Sequence, residues 1–324
     1  MQRAAKKLGE IEIGGGRPKK SIKEAAQSFL AACSDLAPAT LRKYARVIRD
    51  LERLAESRNI RALDSITLEN LDDLRSERAV SPLTWSKELP IVRQFFSHCV
   101  ERHWMRENPA KRLRLPRNLR PKPVEPFTQE ELVRIIAASS QIGRTSYDRA
   151  RAEAMTLVFR FTALRISDVA VLRKDHISNG EIFIRAEKNG KPVKLPVECT
   201  LQAALDRLPE PRGSVGLSAY FFWSGNGSKE SMIRDVRRTM KAIFKKAGVT
   251  GGHPHKFRHT LAVEVLVGGG TTEDVATILG DDPRTVSKHY APWNVARQAR
   301  IKTLMQTVYS AHSLAQTLQQ ARTC

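Results

Sequence analysis

Two short runs in the middle of the chain alternate as strands do, Ile182-Phe183-Ile184 and Val193-Lys194-Leu195-Pro196-Val197, and Asn189-Gly190 lies between them. Alternation with period two marks half-buried strands, and Asn-Gly between such runs predicts a hairpin closed by a type I′ turn. Elsewhere the apolar residues recur at helical spacing. A chain with one small hairpin and many one-sided helices cannot build its core on a sheet. Helix must pack on helix, so the fold class is mainly α with a small β-hairpin or sheet. At 324 residues the chain is long enough for two domains, each with its own core.

The punctuation of the helices sets the domain boundaries. Residues 1–20 read as a basic flexible arm with Gly14-Gly15-Gly16 as a joint. Ser21 and Glu24 form a capping box, and Ile22, Ala25, Ala26, Phe29, Leu30 and Cys33 share one helical face behind it. Pro38 and Thr40 open a second helix with Leu41, Tyr44, Ile48 and Leu51 inward and Arg42, Lys43, Arg46, Arg49 and Arg53 outward. Thr67 caps a third helix. A fourth is expected from about Pro82 to Glu107, with Pro90 bending or interrupting it and Asn108-Pro109 stopping it. Residues 21–112 are therefore a four-helix domain. Residues 113–126 carry Pro116, Pro121, Pro123 and Pro126 among basic residues, and prolines make such a linker extended and semi-rigid. Residues 127–310 form the second, mixed domain, opened by a capping box at Thr128 and Glu131, and 311–324 are a C-terminal tail.

Charge narrows the partners. Lys and Arg number 55 against 34 Asp and Glu, a net +21, and residues 1–120 hold 25 basic and 15 acidic groups, +10, leaving +11 for the rest. Two basic halves suit a clamp closing on a polyanion, because neutralising phosphates releases counterions. A solvated basic surface is the plain alternative. Arg42, Lys43 and Arg46 on the second helix, with Arg117, Arg120 and Lys122 in the linker, are the candidate contacts to a DNA backbone. No apolar run reaches 18 residues, which argues against a membrane partner. No apolar segment follows the basic N-terminus to suggest a leader. Cys33, Cys99, Cys199 and Cys324 lie far apart without metal spacing, and His253 with His255 lacks a third ligand, so no metal site is expected.

One constellation carries chemistry. His255 and Arg258 stand three apart, on one face of a helix, and a titratable donor beside a guanidinium fork makes a phosphate clamp. Tyr290 follows downstream as a candidate nucleophile for that phosphate. Each residue has an ordinary reading when taken singly. A tyrosine before Ala-Pro-Trp is usually a packing residue, a lysine beside Asn-Gly a solvated turn residue, Arg165 a helix-terminal arginine, and His259 a packed and hydrogen-bonded core histidine.

Together, however, the motifs resemble those of the tyrosine recombinases, phage-type integrases and Xer-like enzymes. Ala163-Leu164-Arg165-Ile166-Ser167-Asp168 resembles the family's G-L-R-x-x-E segment, Glu187-Lys188-Asn189-Gly190-Lys191-Pro192-Val193 its T-K-x-G-K-x-V hairpin, and His255-Lys256-Phe257-Arg258-His259-Thr260 its H-x-L-R-H-T. Leu279-Gly280-Asp281, with Tyr290 nine residues on, resembles its L-G-H…Tyr. The resemblance implies a helical core-binding domain followed by a catalytic domain, and site-specific recombination of double-stranded DNA. Tyr290 would attack to give a 3′-phosphotyrosyl intermediate, Arg165 and Arg258 hold the scissile phosphate, His255 donate or assist proton transfer, and Lys188 protonate the leaving 5′ oxygen. Asp168, Asp281 and His259 are possible accessory residues. It further implies no cofactor, assembly as a tetramer on DNA, and a cytoplasmic, nucleoid-associated setting in a prokaryote. Two positions depart from the pattern: Asp281 stands where the family carries His or Trp, and Asp168 where it carries Glu. A carboxylate at 281 would repel a phosphate unless protonated or turned away. Two other readings follow: a DNA-binding protein of the same ancestry with weak or no cleavage, and an activity like that of a type IB topoisomerase.

Overall fold

The computed structural model describes residues 20–116, 123–214 and 216–311. The arm at 1–19, the linker residues Arg117, Arg120 and Lys122, and the tail after Ala311 lie outside the described residues. The chain separates into two compact units, Met1–Pro121 and Lys122–Cys324.

In the first unit four helices follow one another: α1 (Ile22–Ala32), α2 (Pro38–Ser57), α3 (Leu68–Glu77) and α4 (Pro82–Glu101). Capping boxes at Ser21/Glu24 and Thr67/Asn70 start α1 and α3, each satisfying backbone N–H groups that a helix start leaves open. The core is Phe29 of α1, Val47, Ile48 and Leu51 of α2, Leu71 and Leu74 of α3, and Trp85, Phe95 and Phe96 of α4. The long fourth helix runs unbroken through Pro90 and ends at Glu101, earlier than the expected Glu107, because His103 takes a left-handed conformation (φ 59°) and turns the chain.

The second unit opens with α5 (Gln129–Ser139), α6 (Ser146–Thr162) and the short α7 (Ile166–Ala170). A three-stranded antiparallel sheet follows in the order β1 (Ile177–Ser178), β2 (Glu181–Arg185), β3 (Pro192–Pro196). Ile182 pairs with Leu195 and Ile184 with Val193, and these four make the sheet's buried face. Then come α8 (Cys199–Asp206), α9 (Lys229–Lys246), α10 (Pro254–Val267), α11 (Thr272–Leu279), α12 (Pro283–Tyr290) and α13 (Val295–Ala311). The fold is thus mainly helical with a small sheet.

The tight turn falls at a different Asn-Gly from the one expected. Asn179 and Gly180 (φ 52° and 72°) connect β1 to β2, where Ser178 pairs with Glu181, as a two-residue turn with both centres at positive φ requires. Asn189-Gly190 instead sits in a six-residue loop, 186–191, between β2 and β3. Gly190 is at φ 68°, but Asn189 is not among the positive-φ residues. Asn189 is spared the strained conformation because its side chain is engaged elsewhere, as the site shows.

Candidate active site

The site's orientation begins with Phe257. Its ring packs among Phe127, Phe159 and Phe244, with centroids 4.9, 6.0 and 6.1 Å away. Burying that ring fixes the rotation of α10 about its axis, and so fixes where Arg258 and His259 point. Thr260 adds a latch: its hydroxyl accepts the Phe127 N–H at 2.9 Å.

Arg258 is only 2% exposed and still carries a guanidinium. Its partners explain how burial is tolerated. Nη1 donates to the Ala163 carbonyl (2.6 Å), and Nη2 donates to the Leu279 carbonyl (2.7 Å) and to Asp281 Oδ2 (2.7 Å). Both carbonyls come from helix ends. Ala163 closes α6 in the left-handed region (φ 51°), a conformation costing an alanine about 1–2 kcal/mol. Gly280 closes α11 in the same region (φ 58°). Burial pulls the Arg258 guanidinium below its ordinary basicity, as does the nearby charge of Arg165, while Asp281 opposes both.

Arg165 starts α7 immediately after the Ala163 turn. Its Nη2 donates to Asp281 Oδ1 at 2.5 Å and reaches the Gly280 carbonyl at 3.4 Å. The two oxygens of Asp281 therefore bridge the two arginines. Burial raises the Asp281 carboxyl, but the Arg258 hydrogen bond and the charges of Arg258, Arg165 and Lys188 outweigh it and leave the group below its usual range. Arg165 Nη1 and Arg258 Nε remain buried without hydrogen-bond partners.

The hairpin loop is tied to the same place. Asn189 Nδ2 donates to the Gly280 carbonyl (3.0 Å), and Lys191 Nζ to the Asp281 carbonyl (2.9 Å). Asp168, buried on α7, accepts the Glu187 N–H on Oδ1 at 2.9 Å, and Glu187 is ion-paired with Lys229. Lys188, next to Glu187, stays exposed at the loop, close enough for its charge to lower the Asp281 carboxyl.

Tyr290, at the end of α12, is 6% exposed and packs with Leu266, Val275 and Val286. His259 Nδ1 lies 2.7 Å from its hydroxyl. Burial raises the phenol to about 12, with Arg258 pulling it down and Asp281 pushing it up. His255 sits edge-on to His259, ring centroids 4.7 Å apart, and keeps one edge open to solvent. Burial, then the charges of His259 and Arg258, push His255 down to about 4. Burial, then His253, His289 and Arg258, do the same for His259.

The structure thus gathers Arg165, Arg258, Asp281, His255, His259 and Tyr290 around one point, with Asp168 and Lys188 at the hairpin beside it. Tyr290 is bonded to His259 and not to His255. Sequence reasoning did not single out Asn189, Lys191 or Gly280. The signal for Asn189 and Lys191 is the Lys-Asn-Gly-Lys run, and that for Gly280 is the Leu-Gly pair before Asp281. The helix α2 candidates lie in the other unit, where Arg46 pairs with the fully buried Glu88 (2.6 Å) and Lys43 donates to the Lys87 carbonyl (3.0 Å), while Arg42 is exposed. Among the described residues no group of three or more His, Cys, Asp or Glu is placed to hold a metal ion, and no helix is long and apolar enough to cross a membrane.

Residues 125–297, which span every residue of this site, match the phage integrase family. The chain belongs to that family. As a phage integrase family member it is a tyrosine-type site-specific recombinase. Tyrosine recombinase XerC of Serratia marcescens is 28% identical over 271 residues, covering 81% of this chain and 86% of that one. XerC of Lactobacillus delbrueckii subsp. bulgaricus is 24% identical over 283 residues, covering 83% and 93%. Among solved structures, a lambda integrase dimer bound to a COC′ core site superposes with a TM-score of 0.65 at 14% identity, covering 91% of this chain and 86% of that one. XerH bound to its difH substrate in a pre-cleavage complex gives 0.59 at 17% identity, covering 81% and 79%. At these identities the structural likeness establishes the fold of this family member.

Proposed function

We propose that this recombinase breaks and rejoins double-stranded DNA through Tyr290, at a phosphate seat formed by Arg165 and Arg258. The observation that carries the reading is the Asp281 bridge: two guanidiniums from different helices converge on the two oxygens of a single anion, at 2.5 and 2.7 Å. A phosphodiester presents the same pair of anionic oxygens, and planar, permanently charged arginines suit it. Their positive charge would also stabilise the pentacoordinate transition state as negative charge builds on those oxygens. The Arg165 Nη1 donor, buried without a partner, is spare capacity for such a ligand.

In the proposed reaction Tyr290 Oη attacks phosphorus, and the 5′ oxygen leaves with a proton from Lys188, which the exposed loop leaves free to reach it. The 3′-phosphotyrosyl bond conserves the energy of the phosphodiester, and attack by a partner strand's 5′-hydroxyl reverses the step. His255, at the rim of the seat with one edge open, would donate to the same phosphate. Asp168 would position Lys188 through the Glu187 N–H. The basic surfaces of both units would supply the non-specific affinity for the duplex. Exchange between two duplexes needs four cleavages, so assembly of four copies on DNA follows from the chemistry. Lambda integrase is recorded as a tetramer bound to a Holliday junction, which supports that assembly here.

The test is trapping on a nicked suicide substrate carrying the cognate site. The wild-type chain should form a covalent protein–DNA adduct, and Tyr290→Phe should bind equally but form none. An adduct with the phenylalanine variant would overturn the assignment. One observation favours a second reading, a DNA-binding protein with little cleavage: Asp281 already fills the seat. Binding without any adduct on a verified site, and cleavage gained by Asp281→His, would favour that reading.

A further inference from the structure

We infer that His259, and not His255, is the base that takes the proton from Tyr290. This rests on the reading of Tyr290 as nucleophile and adds the residue that activates it. A phenol in a largely apolar pocket is a poor nucleophile until its proton has somewhere to go. Among the described residues His259 alone is at hydrogen-bonding distance from the Tyr290 hydroxyl: Nδ1 is 2.7 Å from the oxygen, within the range for O–H···N donation. His255, one helical turn earlier on α10, makes no hydrogen bond among the described residues and meets His259 edge-on instead.

The two rings divide the work by position. His259 is partly buried against the buried Tyr290, while His255 is exposed, where a DNA phosphate can reach it. The surroundings keep His259 able to accept. It is flanked by His253 and His255 and by Arg258 on its own stretch, and by His289 and Tyr290 on α12. Burial, and then His253, His289 and Arg258, lower the basicity of the ring, and in its neutral form with the proton on Nε2 it presents Nδ1 as the acceptor of the hydroxyl. Arrival of an anionic phosphate beside Arg258 raises the basicity of the imidazole as the transfer becomes necessary.

The step balances. The Tyr290 O–H bond breaks and its proton passes to Nδ1 as the Oη–P bond forms. The P–O5′ bond breaks, and the leaving oxygen takes its proton from Lys188. In the return step the attacking 5′-hydroxyl gives its proton back to Lys188, and imidazolium at 259 reprotonates Tyr290 as it leaves. No metal or further reactant enters.

The experiment is single-turnover adduct formation on the suicide substrate, with DNA binding measured in parallel by mobility shift. His259→Asn keeps an amide near the Nδ1 position but is no base. It should bind DNA as the wild type does and form adduct about 10²–10⁴-fold more slowly. His259→Ala should be equally slow and should regain rate in proportion to added imidazole, with less basic imidazoles rescuing less. A merely packing role would not produce that rescue. Adduct formation by His259→Asn within about threefold of wild type would overturn the inference. So would faster adduct formation by His259→Ala, which would mean that His259 parks the tyrosine. Absence of imidazole rescue in a variant that binds DNA normally would overturn it too. These outcomes leave the role of Tyr290 untouched, since Tyr290→Phe reports on it separately.

Discussion

Asp281→Asn is the perturbation that most directly examines the phosphate seat. The substitution keeps the shape of the side chain and one carbonyl acceptor, and removes the charge that two arginines share. Arg258, at 2% exposure, would lose its only charged partner among the described residues while keeping the Ala163 and Leu279 carbonyls. Breaking a fully buried pair costs about 3–5 kcal/mol. Asp281 is a quarter exposed and two carbonyl contacts survive, so we expect about 1–3 kcal/mol. For a unit of this size that is a fall of roughly 2–12 °C in Tm. The seat is then empty of anion, and inorganic phosphate should fill it. An added ligand at a hundred times its Kd restores about 2.7 kcal/mol. The assay is thermal melting of both proteins across a phosphate series, with chloride holding ionic strength constant. The asparagine variant should start lower and gain more from phosphate than the wild type, whose own carboxylate competes. Adduct formation should be at least as fast in the variant, because the scissile phosphate no longer has to displace a carboxylate. Equal melting temperatures together with equal phosphate responses would refute the reasoning, since Asp281 would then not be holding the arginines in an anion's place.

Other consequences can be measured alongside. Asp168→Ala removes the acceptor of the Glu187 N–H; the loop that carries Lys188 should loosen, with adduct formation slowed about 10–100-fold and DNA affinity unchanged by mobility shift. A substrate with a 5′-bridging sulfur, whose leaving group needs no proton, should recover most of that loss. Gly280→Ala forces a Cβ to within 2.7 Å of Val193 Cγ2 at a φ of +58°, so the turn that presents Asp281 must shift; we expect a loss of about 1–3 kcal/mol in a urea melt and a larger fall in adduct yield. His255 and His259 are both held near 4 in the folded chain, against an ordinary value of 6.5. Their folded values are depressed, so the unfolded chain binds more protons between the two. Their contribution to stability is complete above about pH 6.5 and falls as pH drops towards 4, the slope of ΔG against pH being shallower in His259→Asn.

Why some of this could be read from the residues and some could not comes down to the range of the interaction. Capping boxes at Ser21, Thr67, Thr128 and Thr271 are satisfied within three residues, so helix starts follow from local chemistry. Arg165, Arg258 and Tyr290 stand out as candidates in the sequence because their motifs are short runs. The turn between β2 and β3 was not, since Asn189 is held by the Gly280 carbonyl 91 residues away and local turn preference yields to that bond. Asp281 is the clearest case. From the sequence it looked like a repulsive intruder between the clamp and the nucleophile. In three dimensions it supplies what one buried and one partly buried guanidinium need when no DNA is bound: a two-oxygen anion at hydrogen-bonding distance from both. The same geometry then sets the cost of catalysis. Any phosphate entering the seat must match or displace a carboxylate that already satisfies both arginines, so a chain with Asp at this position should be less sensitive to competing anions, and slower to engage its substrate, than its Asp281→His variant.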